Sequence, residues 1–473
     1  MTAHIRLFAF HPLPMTDLRD KLRRLGVHKG ATHLRTPPHS LTTMIPGESL
    51  GIESFVDGRP IDTPYGPAFV HEDVFSTDHL HGDHTLGELL SVSPAAAAQI
   101  ANEDALAQVD LSRVVFLDTE TTGLGGGTGT LVFLVGLGAF DVSHSSFVLR
   151  QFFLRTPAEE LAMLHALAER LDAFDAVVSF NGRGFDMPLL ESRFTLARMR
   201  PRILRAPHLD LLMPARRVWR GRLPSCALSS LEHHILNVQR EQADVPGYLI
   251  PEMYVHYVRT GDASEMPRVL YHNMLDILSM VSLSTRLINL FAQASPLSPS
   301  SLGGMQGRAL PDPADLLALG KWYDDLGRTA DAESALRNCL ACRPDPATRF
   351  AALHRLGAIL KRAGRREEAV RVWAALSESQ TAQGIEACIE LAKHCEWDTA
   401  NLDRASVWTR EAMAIAQALP DGYARSRYEA ELSHRLERLM RKRRAVSVDH
   451  ENTWNAGFSR RKVPKMPTKV GDP

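Results

Sequence analysis

Residues 114–124 have the sequence Val-Val-Phe-Leu-Asp-Thr-Glu-Thr-Thr-Gly-Leu. The first four residues are apolar and rich in β-branched types, which predicts a buried strand. Side chains alternate between the two faces of a strand, so the carboxylates of Asp118 and Glu120 share one face. Paired acids at the end of a buried strand are costly unless a positive charge compensates them, and hard oxygen ligands suit Mg²⁺ or Mn²⁺. The stretch therefore predicts a metal site for chemistry on phosphates.

Two later segments carry an acid in a similar setting. Residues 180–186 are Phe-Asn-Gly-Arg-Gly-Phe-Asp, after an apolar run, and residues 271–276 are Tyr-His-Asn-Met-Leu-Asp. With the first segment they resemble, in order, the three motifs of the DEDD 3′–5′ exonucleases, which have a ribonuclease H-like fold. The resemblance covers roughly residues 110–292, a plausible length for one domain. It resembles the YprB-like branch, in which such a domain is joined to helical repeats.

The resemblance implies a two-metal site. Its ligands would be Asp118, Glu120, Asp186 and Asp276, holding two Mg²⁺ or Mn²⁺ ions about 4 Å apart that stabilise the attacking and leaving oxygens of a phosphoryl displacement. It also implies hydrolysis of phosphodiester bonds from a 3′ end of single-stranded DNA or RNA, with Asn181 and Phe185 as supporting residues. The alternative is that Asp118 and Glu120 merely cap a loop.

The third motif departs from the family in its general base. One branch has His five positions before the last aspartate and the other has Tyr four positions before it. Here Tyr271 lies five positions before Asp276 and His272 lies four before it, so the two residue types are exchanged. On a helix, position 272 shares a face with Asp276, and His is the better base near neutral pH. We therefore prefer His272 to Tyr271, and a slow or inactive enzyme stays open.

A basic segment follows the second motif. Nine arginines and one acid lie between residues 193 and 222, and Trp219 stands among Arg216, Arg217 and Arg220. Arginine with an interleaved aromatic residue is typical of a path for a single strand, although a solvated basic face is as good an explanation. Arg183, inside the second motif, is a further candidate for contacting a phosphate.

Three other patterns have a weaker claim to chemistry. The glycine-rich residues 123–130 lack the dinucleotide fingerprint and the Walker lysine, so a nucleotide-binding loop is disfavoured. A cluster of histidines matches no zinc spacing known to us, and a polar loop is the favoured interpretation; it contains His71, His79, His81 and His84. Cys339 and Cys342 form a Cys-x-x-Cys, but buried cysteines are common in helical regions.

The rest of the chain predicts its organisation. We expect an irregular N-terminal extension over 1–105, with a short helix at 17–25 and irregular chain over 36–67. An α/β ribonuclease H-like mixed sheet flanked by helices follows over 106–292. After a Pro/Ser/Gly-rich linker over 293–311, Leu319-Gly320 and Leu326-Gly327 recur 37 residues later. This period predicts an all-α domain of tetratricopeptide-like repeats over 312–440, able to bind a protein partner. A basic, disordered tail would occupy 441–473.

The composition of the whole chain limits the classes of protein to which it can belong. The net charge of −1 gives no global attraction to nucleic acid, and 44% hydrophobic with 23% charged residues is an ordinary globular mixture. Five cysteines, no secretory pattern and no apolar run of 18 residues predict a cytoplasmic protein without a membrane partner. Two functions follow: a metal-dependent exonuclease, or a weak or inactive nucleic-acid-binding scaffold that acts through its repeats.

Overall fold

The structure is a computed structural model that describes residues 51–123, 129–241, 244–292 and 312–458, with side chains as far as residue 445. From Leu50 onward the chain forms one unit. The helix expected at 17–25, most of the glycine-rich loop, the linker at 293–311 and the last residues of the tail lie outside the described residues. The domain boundaries therefore stay predictions.

A seven-stranded mixed sheet forms the centre of the first part. Its strands are β1 (Gly58–Thr63), β2 (Gly66–Ser76), β5 (Val114–Thr121), β6 (Val132–Asp141), β7 (Ser146–Phe153), β8 (Ala176–Ser179) and β9 (His208–Asp210), and a separate hairpin has β3 (Leu80–His81) and β4 (His84–Thr85). The order is β1-β2-β7-β6-β5-β8-β9. β5 pairs in parallel with β8, and β8 with β9, whereas the other pairs are antiparallel. Buried β-branched runs explain the central strands, and the predicted fold class is confirmed.

The sheet begins before the predicted boundary at residue 106. β2 pairs with β7 from Phe69 to Ser76, and β1 lies outside it at the edge. The expectation that 36–67 is irregular is therefore wrong for residues 58–63. The strand pattern is hidden because β1 lies half-exposed at the edge of the sheet. Glycine and proline are tolerated there, and no clean alternation of apolar residues is needed.

Helices cover both faces of the sheet. They are α1 (Pro94–Ala101), α2 (Glu160–Leu171), α3 (Asp186–Leu196), α4 (Leu212–Trp219), α5 (Leu228–Leu231), α6 (Ile250–Thr260) and α7 (Met266–Ala292). α2 and α6 pack on one face, and α1, α4 and most of α7 on the other. Leu164, Leu167 and Leu171 form the buried stripe of α2, whereas Leu161 is 44% exposed because it lies in the first turn, at the edge of the packed face.

α7 approaches the sheet closely because β6 presents two glycines to it. A Cβ atom on Gly136 would lie 2.2 Å from Oδ1 of Asn273, and one on Gly138 would lie 2.6 Å from Cγ2 of Ile277. Any side chain there would push α7, and Asp276 with it, away from β5. Within the described residues, α7 is the one helix long and apolar enough to span a membrane, and 78% of its most apolar window is buried inside the structure.

The second part is a succession of helix pairs. Its helices are α8 (Pro313–Asp325), α9 (Thr329–Ala341), α10 (Pro346–Arg362), α11 (Arg366–Leu376), α12 (Ala382–Trp397), α13 (Leu402–Ala418) and α14 (Tyr423–Phe458). Gly320 of α8 touches Leu336 of α9, and Gly357 of α10 touches Trp373 of α11 in the same way. The 37-residue period thus marks equivalent packing positions, while assignment to the tetratricopeptide class stays a prediction. The disorder expected from residue 441 is wrong as far as Phe458, because α14 continues through it.

Candidate active site

Two carboxylates of the candidate site come from the end of β5. Asp118 and Glu120 lie on one face of the strand, just before a register shift between Glu120 and Thr121 ends regular pairing with β6. Asn273 of α7 donates a 2.8 Å hydrogen bond from Nδ2 to Oδ2 of Asp118 and accepts one at Oδ1 from Gln151 of β7. The fully buried Asn273 therefore ties the strand, the helix and the sheet together at the acid.

Asp186 is positioned by a tight turn between β8 and α3. The Asp210 carboxylate, from β9, accepts hydrogen bonds from the backbone N–H groups of Asn181 and Arg183 at 2.8 and 3.0 Å. Gly182 is required there, since a Cβ atom would lie 2.3 Å from Oγ of Ser179. The hydroxyl of Thr119 then donates to Oδ1 of Asp186, which is only 5% exposed.

Asp276 is held by an arginine that the sequence analysis did not identify. Nη2 of Arg240 donates to Oδ1 of Asp276, while its Nε and Nη2 hold Glu232 at 2.6 and 2.7 Å. Nη1 of the same guanidinium lies 3.3 Å from Oδ2 of Asp244. Arg240 is thus the positive centre of an acidic cluster.

The four carboxylates influence one another electrostatically. Burial raises the pKa of Asp118 well above its usual value, and the charges of Asp276, Asp186 and Glu120 raise it further. Burial and the charges of Asp276 and Asp186 likewise raise the pKa of Glu120. Burial raises the pKa of Asp186 to about 6, against the opposing hydrogen bond from Thr119. The structure therefore brings the three motifs into one negatively charged group.

The residues fit a hard divalent cation by their chemistry. Carboxylate oxygens from a strand end and two helices are the ligands that Mg²⁺ and Mn²⁺ take. In the described part of the chain, however, no three His, Cys, Asp or Glu side chains converge closely enough to hold an ion as they stand. Asp118, Asp186 and Asp276 instead accept hydrogen bonds from Asn273, Thr119 and Arg240.

His272 and Tyr271 differ clearly in position. Nδ1 of His272 lies 2.7 Å from Oδ1 of Asp244, and Nε2 lies 4.0 Å from Oε1 of Glu120 and 3.8 Å from Oδ2 of Asp276. Tyr271 instead lines a separate cavity of about 250 Å³ next to His71 and Gln151. The structure thus places His272, and not Tyr271, beside the carboxylates.

The residues of the basic segment that lie on or next to α4 differ in exposure. Arg216, Arg217 and Arg220 are exposed, and Arg216 lines a cleft of about 400 Å³ together with Asp118, Asn181 and Asp276. Trp219 is fully buried in the core, so the prediction that it contacts nucleic acid is wrong. On a helix it lies next to Ala215, four positions before it, and both are fully buried.

The remaining predicted residues have structural partners. Arg183 donates from Nη2 to the carbonyl of His208, and Phe185 is half-buried at the start of α3. His71 lies on β2, and His81 and His84 lie on the β3–β4 hairpin, so the expected polar loop is wrong for these three; His79 lies in the turn before β3. His81 bonds Ser279 at 2.8 Å, and burial lowers its pKa to about 4. Cys339 is buried in α9, and Cys342 directly follows that helix.

Some functional residues carried only weak sequence signals. Asn273 lies three positions before Asp276, on the same helical face, and is polar within an apolar run, which could have marked it. Arg240 and Asp244 lie in a segment without strand or helix pattern, and only the fold brings them to α7.

Comparison with known proteins agrees with this class of fold. Residues 115–288 match the family model described as RNase H superfamily. The mixed sheet and the acids at the end of β5 agree with that match, so this segment is similar to RNase H-like domains. Over 404 residues the chain is 29% identical to the uncharacterized protein YprB of Bacillus subtilis (strain 168), covering 84% of this chain and 89% of that protein.

Two solved structures are also similar. One is the family B DNA polymerase from the hyperthermophilic archaeon Pyrobaculum calidifontis, at 16% identity and a TM-score of 0.31, covering 45% of this chain and 29% of that one. The other is E. coli Exonuclease I in complex with a dT13 oligonucleotide, at 11% identity and a TM-score of 0.26, covering 69% of this chain and 99% of that one.

Proposed function

We propose that the protein is a metal-dependent nuclease of the DEDD type that hydrolyses phosphodiester bonds from the 3′ ends of single strands. The observation that carries the proposal is that the acids of all three motifs, Asp118, Glu120, Asp186 and Asp276, lie near enough at β5 for their charges to act on Asp118. Burial raises the pKa of Asp118, Glu120 and Asp186, and the charges of their neighbours within the group raise those of Asp118 and Glu120 further, so the group favours a cation. The 3′ direction rests on the resemblance of the three motifs alone.

The proposed division of labour follows from the contacts. Asp118, Glu120, Asp186 and Asp276 would hold two Mg²⁺ or Mn²⁺ ions, which supply stabilisation of charge on the phosphate oxygens. His272, in the tautomer that donates from Nδ1 to Asp244, would accept the proton of the attacking water at Nε2. Arg216, at the mouth of the cleft, would bind a phosphate of the strand.

Partners and location belong to the same proposal. A nucleic-acid strand would approach along the exposed arginines of α4, and the helix pairs would offer a surface to a protein partner. The five cysteines, all in described residues, form no disulfide, which supports a reducing compartment such as the cytoplasm.

The experiment is degradation of 3′- and 5′-labelled single-stranded RNA and DNA with Mg²⁺ or Mn²⁺. Wild type is compared with Asp118→Asn and Asp186→Asn, and with Glu191→Gln as a matched control on the exposed face of α3. Metal-dependent release of nucleotides from the 3′ end, lost in both Asn variants and kept in the control, supports the proposal. Cleavage that survives Asp118→Asn would contradict it.

One observation favours the second candidate, a nucleic-acid-binding scaffold without turnover. Arg240 already neutralises Asp276, so the site carries less negative charge than four free carboxylates. Calorimetric titration with Mn²⁺ separates the two functions. Binding lost in Asp118→Asn supports the nuclease, whereas strand binding without Mn²⁺ binding supports the scaffold.

A further inference from the structure

A second cavity continues the carboxylate cleft toward the helix pairs. Its volume is about 580 Å³, and it shares Asn181, Leu212 and Arg216 with the cleft that contains Asp118 and Asp276. Its far wall is formed by Trp322 and Leu326, at the C-terminal end of α8. The space therefore runs from the RNase H-like domain to the first helix pair.

The charge of this second cavity is positive. Arg183, Arg216 and Arg217 line it with one acid, Asp210. The Asp210 carboxylate already accepts backbone N–H groups from Asn181, Arg183 and Leu212 at 2.8, 3.0 and 3.0 Å. By contrast, neither Arg216 nor Arg217 forms an ion pair with any acid in the described part of the chain. Two guanidinium groups are thus free to bind anions.

Arg217 is positioned by the helical region. Its guanidinium lies over the ring of Trp322, 5.3 Å from the ring centroid, and Trp322 is itself buried against Phe291. A cation–π contact of this kind restrains the guanidinium without consuming its N–H donors. Trp322 therefore serves as a platform that presents Arg217 to the cavity, and is not itself available to stack on a base.

We propose that this cavity binds the sugar–phosphate backbone of the substrate strand, one or two nucleotides away from the phosphate at the carboxylates. Arg216 and Arg217 would each bind a phosphate, so that the helical region takes part in substrate binding through Trp322. The inference rests on the proposed function for its direction toward the carboxylates. The volume is that of a site for one small ligand, which fits a short stretch of one strand and not a duplex.

Binding is measured by fluorescence anisotropy without divalent metal, using labelled oligonucleotides of 2, 4, 8 and 12 residues in DNA and RNA form. We expect Arg217→Gln to weaken binding of the 12-mer about 5- to 10-fold and to lower the slope of log affinity against log salt by about 0.7, the share of one phosphate contact. Binding of the dinucleotide should not change, because it reaches only the cleft. Arg371→Gln serves as the control, because it removes the same charge from an exposed position of α11 that lines neither cavity.

Two further variants test the charge of Arg217 and its contact with Trp322 separately. Arg217→Lys keeps the charge and should keep the salt slope, whereas Trp322→Phe weakens the platform and should reduce 12-mer affinity less than Arg217→Gln does. Unchanged salt slope in Arg217→Gln, or equal losses for dinucleotide and 12-mer, would overturn the inference. Failure of the proposed function looks different: the wild type would cleave nothing, yet the length-dependent effect of Arg217 would persist and uphold the cavity as a binding site.

Discussion

Nδ1 of His272 lies 2.7 Å from Oδ1 of Asp244, and this contact fixes the ring so that Nε2 faces Glu120 and Asp276. Nη1 of Arg240 also lies 3.2 Å from Nδ1, but the Asp244 contact is the shorter of the two, and the tautomer that donates from Nδ1 to Asp244 leaves Nε2 as the acceptor. The exchanged order of Tyr and His in the third motif thus still delivers an imidazole to the carboxylates.

This geometry predicts three graded effects on hydrolysis. His272→Ala should lower kcat by about 10²- to 10⁴-fold, the usual share of a general base. Asp244→Asn should lower it by about 10- to 100-fold, since the ring loses its orientation. Tyr271→Phe should leave kcat unchanged, because Tyr271 faces another cavity. The measurement is kcat against pH under saturating metal, and a larger loss in Tyr271→Phe than in His272→Ala would refute the assignment.

We predict that Arg240 stabilises the folded protein, whether or not it also contributes to catalysis. Its guanidinium pairs with Glu232, which is only 1% exposed, as well as with Asp244 and Asp276. Arg240→Met leaves Glu232 buried without its counter-charge, so the free energy of unfolding should fall by about 3–5 kcal/mol. Urea denaturation of the metal-free protein measures the loss.

The double variant Arg240→Met/Glu232→Leu is the internal control for that experiment. It removes both charges, and replacing a buried pair by apolar residues is often close to neutral. Recovery of most of the lost stability is expected. A double variant as unstable as Arg240→Met alone would show that the pairing with Glu232 is not the cause.

The raised pKa of Asp186 predicts a pH-dependent difference in stability. Its folded value of about 6 exceeds the usual value of 3.8, so between these values the folded protein keeps a proton that the unfolded chain has released. Stability from this group is therefore lost as the pH rises from about 4 to 6. Without metal, Asp186→Asn should exceed wild type in stability at pH 7, by on the order of 1–3 kcal/mol, and lose that advantage near pH 4.

Divalent metal should offset the loss of stability that results when Asp186 ionises in the folded protein. Because carboxylates must be deprotonated to bind, the rise in Tm caused by Mn²⁺ should be larger at pH 7.5 than at pH 5. Glu191→Gln, on the exposed face of α3, should respond like wild type. An equal rise in Tm at both pH values, or a rise retained in Asp186→Asn, would speak against metal binding at these carboxylates.

The sequence predicts the acids of this site well because each is tied to local structure. Asp118 follows the four apolar residues that begin a buried strand, Asp186 follows a strand, and Asp276 lies on a long apolar helix, and these patterns are visible within about ten residues. Arg240 could not be found in this way. It meets Asp276 across 36 residues of chain, and nothing in its own neighbourhood requires an arginine.

The errors have equally local causes. The arginines that surround Trp219 in sequence predict a basic surface there, yet helical spacing places Trp219 with Ala215 in the core. β1 was missed because an edge strand exposed on one side shows little apolar periodicity. The arginine content of the segment thus predicts a basic surface. The helical period is needed in addition to tell which residues of α4 face the core and which face solvent.

The 37-residue period predicts a specific sensitivity in the helical region. A Cβ atom on Gly357 would lie 2.5 Å from Nε1 of Trp373, on the facing helix of the same pair. Gly357→Val should therefore separate α10 from α11 and lower the free energy of unfolding by about 1–3 kcal/mol through overpacking. Ala374→Val, at an exposed position of α11, adds a similar β-branched side chain and should cost about 0.5 kcal/mol, from helix propensity alone. Urea denaturation followed by Trp fluorescence measures both, and equal effects would show that the glycine is not needed for close packing. Metal-dependent hydrolysis of a dinucleotide should be unchanged in Gly357→Val, because α10 and α11 do not line the carboxylate cleft.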